Sequence, residues 1–144
     1  MSATTLARQK SLLYEFQNLP EASSPFPSTW YVGLSTSMID EDGNNAIEPP
    51  TLANYTRVAL PRGTTKWDYD AAAGVISNKQ EIIFNLSSDN WGAIQEVFIA
   101  SGSTPNPGVS DIWYHFVLPT SIPISGNMLY KIPAKVLEIS MYRG

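Results

Sequence analysis

Between Gly74 and Ile99 the chain changes character every few residues: Gly-Val-Ile-Ser-Asn is followed by Glu-Ile-Ile-Phe-Asn-Leu, Asn-Trp-Gly-Ala-Ile and Val-Phe-Ile. Apolar runs this short, separated by Gly, Asn and Ser, fit half-buried strands and turns, because a helix needs an apolar stripe sustained over many more residues. The stretch predicts a train of short β-strands. It carries no constellation of side chains suited to catalysis, so it points to a built surface rather than a reaction.

Composition extends that reading to the whole chain. A length of 144 residues with 43% hydrophobic residues suits one domain with one core. The charged fraction of 15%, with 11 prolines and 9 glycines, fits short strands joined by tight turns. The formal net charge of −4 offers no electrostatic footprint for a phosphate backbone, so no nucleic-acid partner is expected. With zero cysteines there is no disulfide framework, thiolate metal site or cysteine nucleophile. No apolar segment is long enough for a signal or a membrane span, so no membrane partner is expected, and the chain is expected to be made and kept in a cytoplasm until assembled. The acceptor patterns Asn54-Tyr55-Thr56 and Asn85-Leu86-Ser87 are therefore read as accidents of composition.

Residues 2–18 form the one convincing helix. Ser2, Thr4 or Thr5 can cap its start, and Leu6, Leu12, Leu13, Phe16 and Leu19 recur on one stripe until Pro20 ends it. Such a stripe must be covered, so residues 1–19 are read as an attachment helix, 20–29 as a linker and 30–144 as a β-sandwich domain. Residues 30–35 read as a central strand in which Gly33 admits the close approach of another backbone. Residues 37–52 read as a long exposed loop. Further strands are expected over 55–60, 75–76, 81–86, 95–100, 112–118 and 135–141. In these, Ile82, Phe84 and Leu86 share an inward face, and Ile112, Tyr114, Phe116 and Leu118 share another. The predicted fold is all-β: an antiparallel β-sandwich, jelly-roll-like, with one N-terminal α-helix.

Candidate chemistry is sparse. The acidic tip from Asp40 to Asn45 invites a calcium reading, yet Gly43 and Glu48 do not fall at the EF-hand positions, and a solvated loop is the simpler account. His115, the single histidine, lies in an apolar strand and reads as a packed or interfacial residue. Asp68 and Asp70, which flank Tyr69 in a turn-like stretch, could in principle serve a glycosidase, but that mechanism would also need a raised pKa and a cleft, and solvated carboxylates are the simpler account. No catalytic residue, metal or cofactor is assigned. Of the tryptophans, Trp67 is expected to be the exposed one; with Tyr69 it could offer a stacking surface to a sugar ring.

The order of segments carries a resemblance. Trp30-Tyr31-Val32-Gly33-Leu34-Ser35-Thr36-Ser37, then Glu48, then Asn54-Tyr55-Thr56-Arg57-Val58-Ala59-Leu60, then Gly74 to Asn78, Ile83-Phe84 and Trp91-Gly92-Ala93-Ile94 resemble small tailed-bacteriophage proteins labelled tail fibre or minor tail proteins. Val97 to Ala100, Leu118-Pro119, Ile122 to Asn127 and Ile132 to Leu137 continue it. Leu52-Ala53-Asn54 departs from the glycine-rich approach common before the Tyr-x-Arg element, and Pro105 and Pro107 depart from a compact glycine-rich turn. The resemblance marks Trp30, Tyr55, Arg57, Trp91 and Gly92 as structural motif positions. It implies a non-enzymatic virion structural protein, either a tail fibre or baseplate component or a capsid decoration protein. The expected partners are other virion proteins and copies of the same chain, as a dimer or trimer, with Leu6, Leu12, Leu13, Phe16 and Leu19 at the assembly interface. The alternative is a carbohydrate-binding module that recognises a host surface glycan.

Overall fold

Side chains alternate across a strand, so the parity of each apolar run decides which face it gives to the core. In the computed structural model the described residues are 1–9 and 26–140. Leu12, Leu13, Phe16 and Leu19 of the apolar stripe lie outside them. Five strands, β1 (Ser2–Ala3), β2 (Thr29–Ser35), β3 (Val58–Pro61), β7 (Gly92–Ala100) and β8 (Ile112–Ile124), form one antiparallel sheet in the order β1-β8-β7-β2-β3. Opposite it lie a three-stranded sheet, β10-β5-β4, made of β4 (Trp67–Asp70), β5 (Val75–Asn78) and β10 (Glu138–Ser140), and the pair β6 (Ile82–Ile83) and β9 (Lys131–Ile132). All pairings are antiparallel. The fold is thus an all-β antiparallel sandwich with a short N-terminal helix.

Val32, Leu34, Val97 and Ile99 point from the large sheet into the core, where they meet Trp67, Ile82, Ile132 and Ile139 from the smaller ones. Each fully buried side chain of this size contributes about 1.5–3 kcal/mol. At the centre Tyr55 stands edge-on to Trp91 at 5.3 Å and stacks with Phe84 at 6.4 Å. Gly92, at the start of β7, takes φ +89°, a conformation that a Cβ disfavours. Trp91 ahead of it is held by its indole N–H donating to Ala53 O at 2.8 Å.

Several expectations are corrected in detail. Ser2 and Ala3 pair with His115 and Tyr114 as a strand, so the helix begins at residue 5 and not at 2. Thr4 caps it: its Oγ1 accepts from Ala7 N at 3.3 Å and donates to Ile112 O at 2.8 Å. Asp68 to Asp70 are strand β4 rather than a turn. Leu86 is half exposed, because the ladder that carries Ile82 and Phe84 inward ends before it. Ile112 leaves the face of Tyr114, since a register shift between Ile99 and Ala100 sets it beside Ala100 in a second small cluster with Ile39 and Phe98. The last strand is shorter than expected because Lys135 takes φ +66°. The close approach at Gly33 comes from a ring rather than a backbone: a Cβ there would lie 2.2 Å from Phe98 Cζ.

Candidate functional site

Two regions gather the residues that sequence singled out. The first forms where the loop after β2 meets the loop before β8. Pro49-Pro50 ends the former just after Glu48, β3 begins just after Arg57, and Asp111 precedes β8. Arg57 Nε and Nη2 donate to Glu48 Oε1 and Oε2 at 3.0 and 2.9 Å, a bidentate pair whose side chains are both 1% exposed. Nη1 donates to Asp111 Oδ2 at 2.7 Å and to Gly102 O at 2.6 Å. The Tyr55 hydroxyl donates to Glu48 Oε1 at 2.8 Å and accepts from Leu34 N at 3.0 Å, while Asn106 N donates to Glu48 Oε2 at 2.6 Å. The guanidinium also lies 5.1 Å from the Phe98 ring centroid.

Burial alone would lower the Arg57 pKa, but hydrogen bonds to Glu48 and Asp111 more than offset it and hold the guanidinium charged. Burial, reinforced by the Glu48 carboxylate, pushes the Tyr55 hydroxyl well above its ordinary value of 10.0. Glu48 is the partner that joins Tyr55 to Arg57. The sequence placed it in the same ordered series without revealing the bond. This cluster clamps loops to the end of the sandwich. A cavity of about 260 Å³ beside it is lined by Asn44, Asn106, Asp111 and their neighbours.

The loop from Ser37 to Leu52 is anchored rather than simply exposed, with Ile39, Gly43, Glu48 and Pro49 buried. Asp40 closes its acidic tip by accepting from Asp42 N at 3.0 Å, Asn44 N at 2.8 Å and Asn45 Nδ2 at 3.2 Å. Among the described residues no three His, Cys, Asp or Glu side chains group as metal ligands would. His115 Nδ1 pairs with the buried Glu96 Oε1 at 2.7 Å, and Glu96 also receives Ile39 N. Asn54 and Asn85 spend their side-chain amides on each other's loops, bonding Leu86 O and Asn54 O.

The second region is an aromatic mouth of about 350 Å³ between the two layers. Trp30 and Tyr114 line it from the large sheet, and Trp67 and Tyr69 from β4. The expectation that Trp67 is exposed is overturned: it is 8% exposed, because β4 turns that parity inward, and among the described residues its indole N–H has no hydrogen-bond partner. Tyr69, one step along the same parity, is 68% exposed at the rim. The two residues singled out in the sequence thus line one cavity, with Trp67 inside it and Tyr69 at its solvent edge. Asp68 and Asp70 share the opposite, outer face. Asp68 lies 3.9 Å from Lys79, and Asp70 caps the following turn through Ala72 N and Ala73 N at 3.0 and 3.2 Å.

Among the described residues no helix is long and apolar enough to cross a membrane. The family model described as "Podophage GP4 fiber I protein gp80" matches residues 9–140. A search of curated proteins returned no match.

Proposed function

Because this chain belongs to the podophage GP4 fiber I protein gp80 family, we propose that it serves in the virion as a non-enzymatic, homo-oligomeric fibre subunit. The family match across nearly all of the chain carries this reading. It is supported by how the charged groups are used. Arg57, Glu48 and Asp111 are bonded to one another, and Asp40 and Asp70 cap backbone N–H groups. Carboxylates employed in this way hold loops in place, with their oxygens committed to donors of the same chain. Function then lies in surfaces that the sandwich presents to other virion proteins and to copies of itself.

Copy number per particle separates the two sites at which such a subunit can act. A handful of copies is expected for a fibre on the tail, whereas hundreds would place the protein on the capsid and overturn the fibre assignment. The stripe Leu6, Leu12, Leu13, Phe16 and Leu19 is the proposed attachment element. Deleting residues 1–19 is a poor test, because it also strips β1 from the edge of β8. The cleaner test is Leu12→Asp with Phe16→Asp. Loss of virion incorporation with an unchanged melting temperature is expected, and full incorporation would refute the assignment.

A further inference from the structure

Among the edges of the sandwich, β4 stands apart. The edge strand β1 is two residues long, β3 ends in Pro61, and β10 receives the N-terminal ammonium of Met1 on Glu138 O at 3.2 Å. Each of these edges is shortened, lacks a donor or is covered, as exposed edges usually are. β4 has none of these features.

Its hydrogen-bonding parity follows from the ladder. Lys79 N donates to Lys66 O at 2.9 Å, making 66 and 79 a hydrogen-bonded pair; by alternation Asp68 with Ser77 and Asp70 with Val75 are too. Trp67 and Tyr69 therefore stand at non-hydrogen-bonded positions, with their N–H and C=O groups turned away from β5. Among the described residues none of these groups has a partner. The same two residues send their side chains to the aromatic mouth, while Lys66, Asp68 and Asp70 alternate on the outer face.

We propose that β4 pairs antiparallel with β4 of a second copy about a two-fold axis at Asp68, joining two three-stranded sheets into one of six. This rests on the homo-oligomeric reading above and names its interface. In this register Trp67 of each copy faces Tyr69 of the other as a hydrogen-bonded pair, so the outward N–H and C=O groups satisfy one another. The exposed Tyr69 ring is then covered by a cross-strand aromatic partner at the mouth. On the outer face Lys66 of each copy lies opposite Asp70 of the other. The one unfavourable pairing is Asp68 against Asp68, moderated by Lys79 at 3.9 Å on each side. A shift that centres the axis on Tyr69 instead opposes Asp68 to Asp70 twice. A shift that centres it on Trp67 opposes Tyr69 and Asp70 to Thr65 and Thr64, which lie in a turn ahead of the Lys66–Lys79 pair that opens the ladder. The interface is isologous and closes as a dimer.

The absence of native cysteine makes the register directly testable. Residues facing each other at a non-hydrogen-bonded antiparallel position are close enough for a disulfide. Asp68→Cys alone is expected to form a disulfide-linked dimer under mild oxidation. Asp70→Cys alone should not, yet it should cross-link when mixed with Lys66→Cys. Asp68→Asn, which removes the like-charge pair, should tighten dimerisation at least threefold in sedimentation analysis of the full chain, and Lys66→Glu should weaken it by tenfold or more. An oligomer in which Asp68→Cys cross-links no faster than Asp70→Cys overturns the β4 pairing while leaving homo-oligomerisation standing. A wild-type chain that stays monomeric at high concentration overturns both.

Discussion

The Arg57 cluster and the β4 edge treat polar groups in opposite ways. Around Arg57 nearly every donor meets an acceptor inside the molecule, and the charges are almost wholly removed from water. Along β4 the outward backbone groups of Trp67 and Tyr69 lack partners among the described residues, and so does the Trp67 indole N–H. A satisfied buried network fixes one conformation, because breaking it leaves a stranded charge. An unsatisfied edge beside an apolar cavity leaves bonding capacity for another chain. The positions that the family resemblance marks at the clamp serve the fold, whereas β4, the edge we propose for assembly, carries none of them.

The sharpest way to break the contrast is Arg57→Leu. Glu48 and Asp111 would keep their charges without the cation between them, and removal of one partner from a buried pair costs about 3–5 kcal/mol. Chemical denaturation should show a loss of that size; a change under 1 kcal/mol would mean that the clamp is dispensable. Gly33→Ala attacks the same end through packing. Its methyl group would lie 2.2 Å from Phe98 Cζ, and Phe98 is the ring beneath the guanidinium. Overpacking of this kind costs about 1–3 kcal/mol. Paired with Phe98→Leu, the loss from Gly33→Ala should shrink.

Tyr55→Phe has a smaller effect and a pH signature. At neutral pH it strands Leu34 N and one lone pair of Glu48, for a loss of about 1–2 kcal/mol. The folded state raises the pKa of Tyr55 above 10.0, so it favours the protonated hydroxyl. That contribution is fully present below the unfolded pKa and is lost as pH rises from there toward the folded value. Stability of the wild type should therefore fall above about pH 10. Tyr55→Phe should flatten the fall without abolishing it, because burial also raises Tyr114 and Tyr130. Identical alkaline profiles for the two proteins would remove Tyr55 from that account.

Much of this architecture is legible in the sequence, for a physical reason. Period-two patterns such as Ile82 with Phe84 and Tyr114 with Phe116 announce a buried face directly, and Pro and Gly mark where strands stop. The errors fall where tertiary context decides. Asp68-Tyr69-Asp70 looks like a turn because its polar residues dominate, but β5 supplies the partner that makes it a strand. Ile112 changes face through a register shift that leaves no local signal. At the clamp, Tyr55 and Arg57 stand out together, whereas Asp111 lies 54 positions from Arg57, and only folding reveals their pairing. A tryptophan flanked by Lys66 and Asp68 looks solvated, yet in a strand those neighbours point to the other face and Trp67 turns inward.

Tyr69→Ser should produce the smallest change and defines the other end of the comparison. The side chain is 68% exposed and bonds to nothing among the described residues, so its loss should alter the stability of the dilute, isolated chain by no more than about 0.5 kcal/mol. Concentration then becomes the informative variable. If Tyr69 is covered only in a dimer, wild type should gain melting temperature with protein concentration, since association stabilises the folded state by mass action, and Tyr69→Ser should lose most of that gain. A large destabilisation at high dilution would instead show that the ring supports the monomer's own aromatic mouth. In that case both regions would be structural, and the contrast between a closed clamp and an open edge would fail.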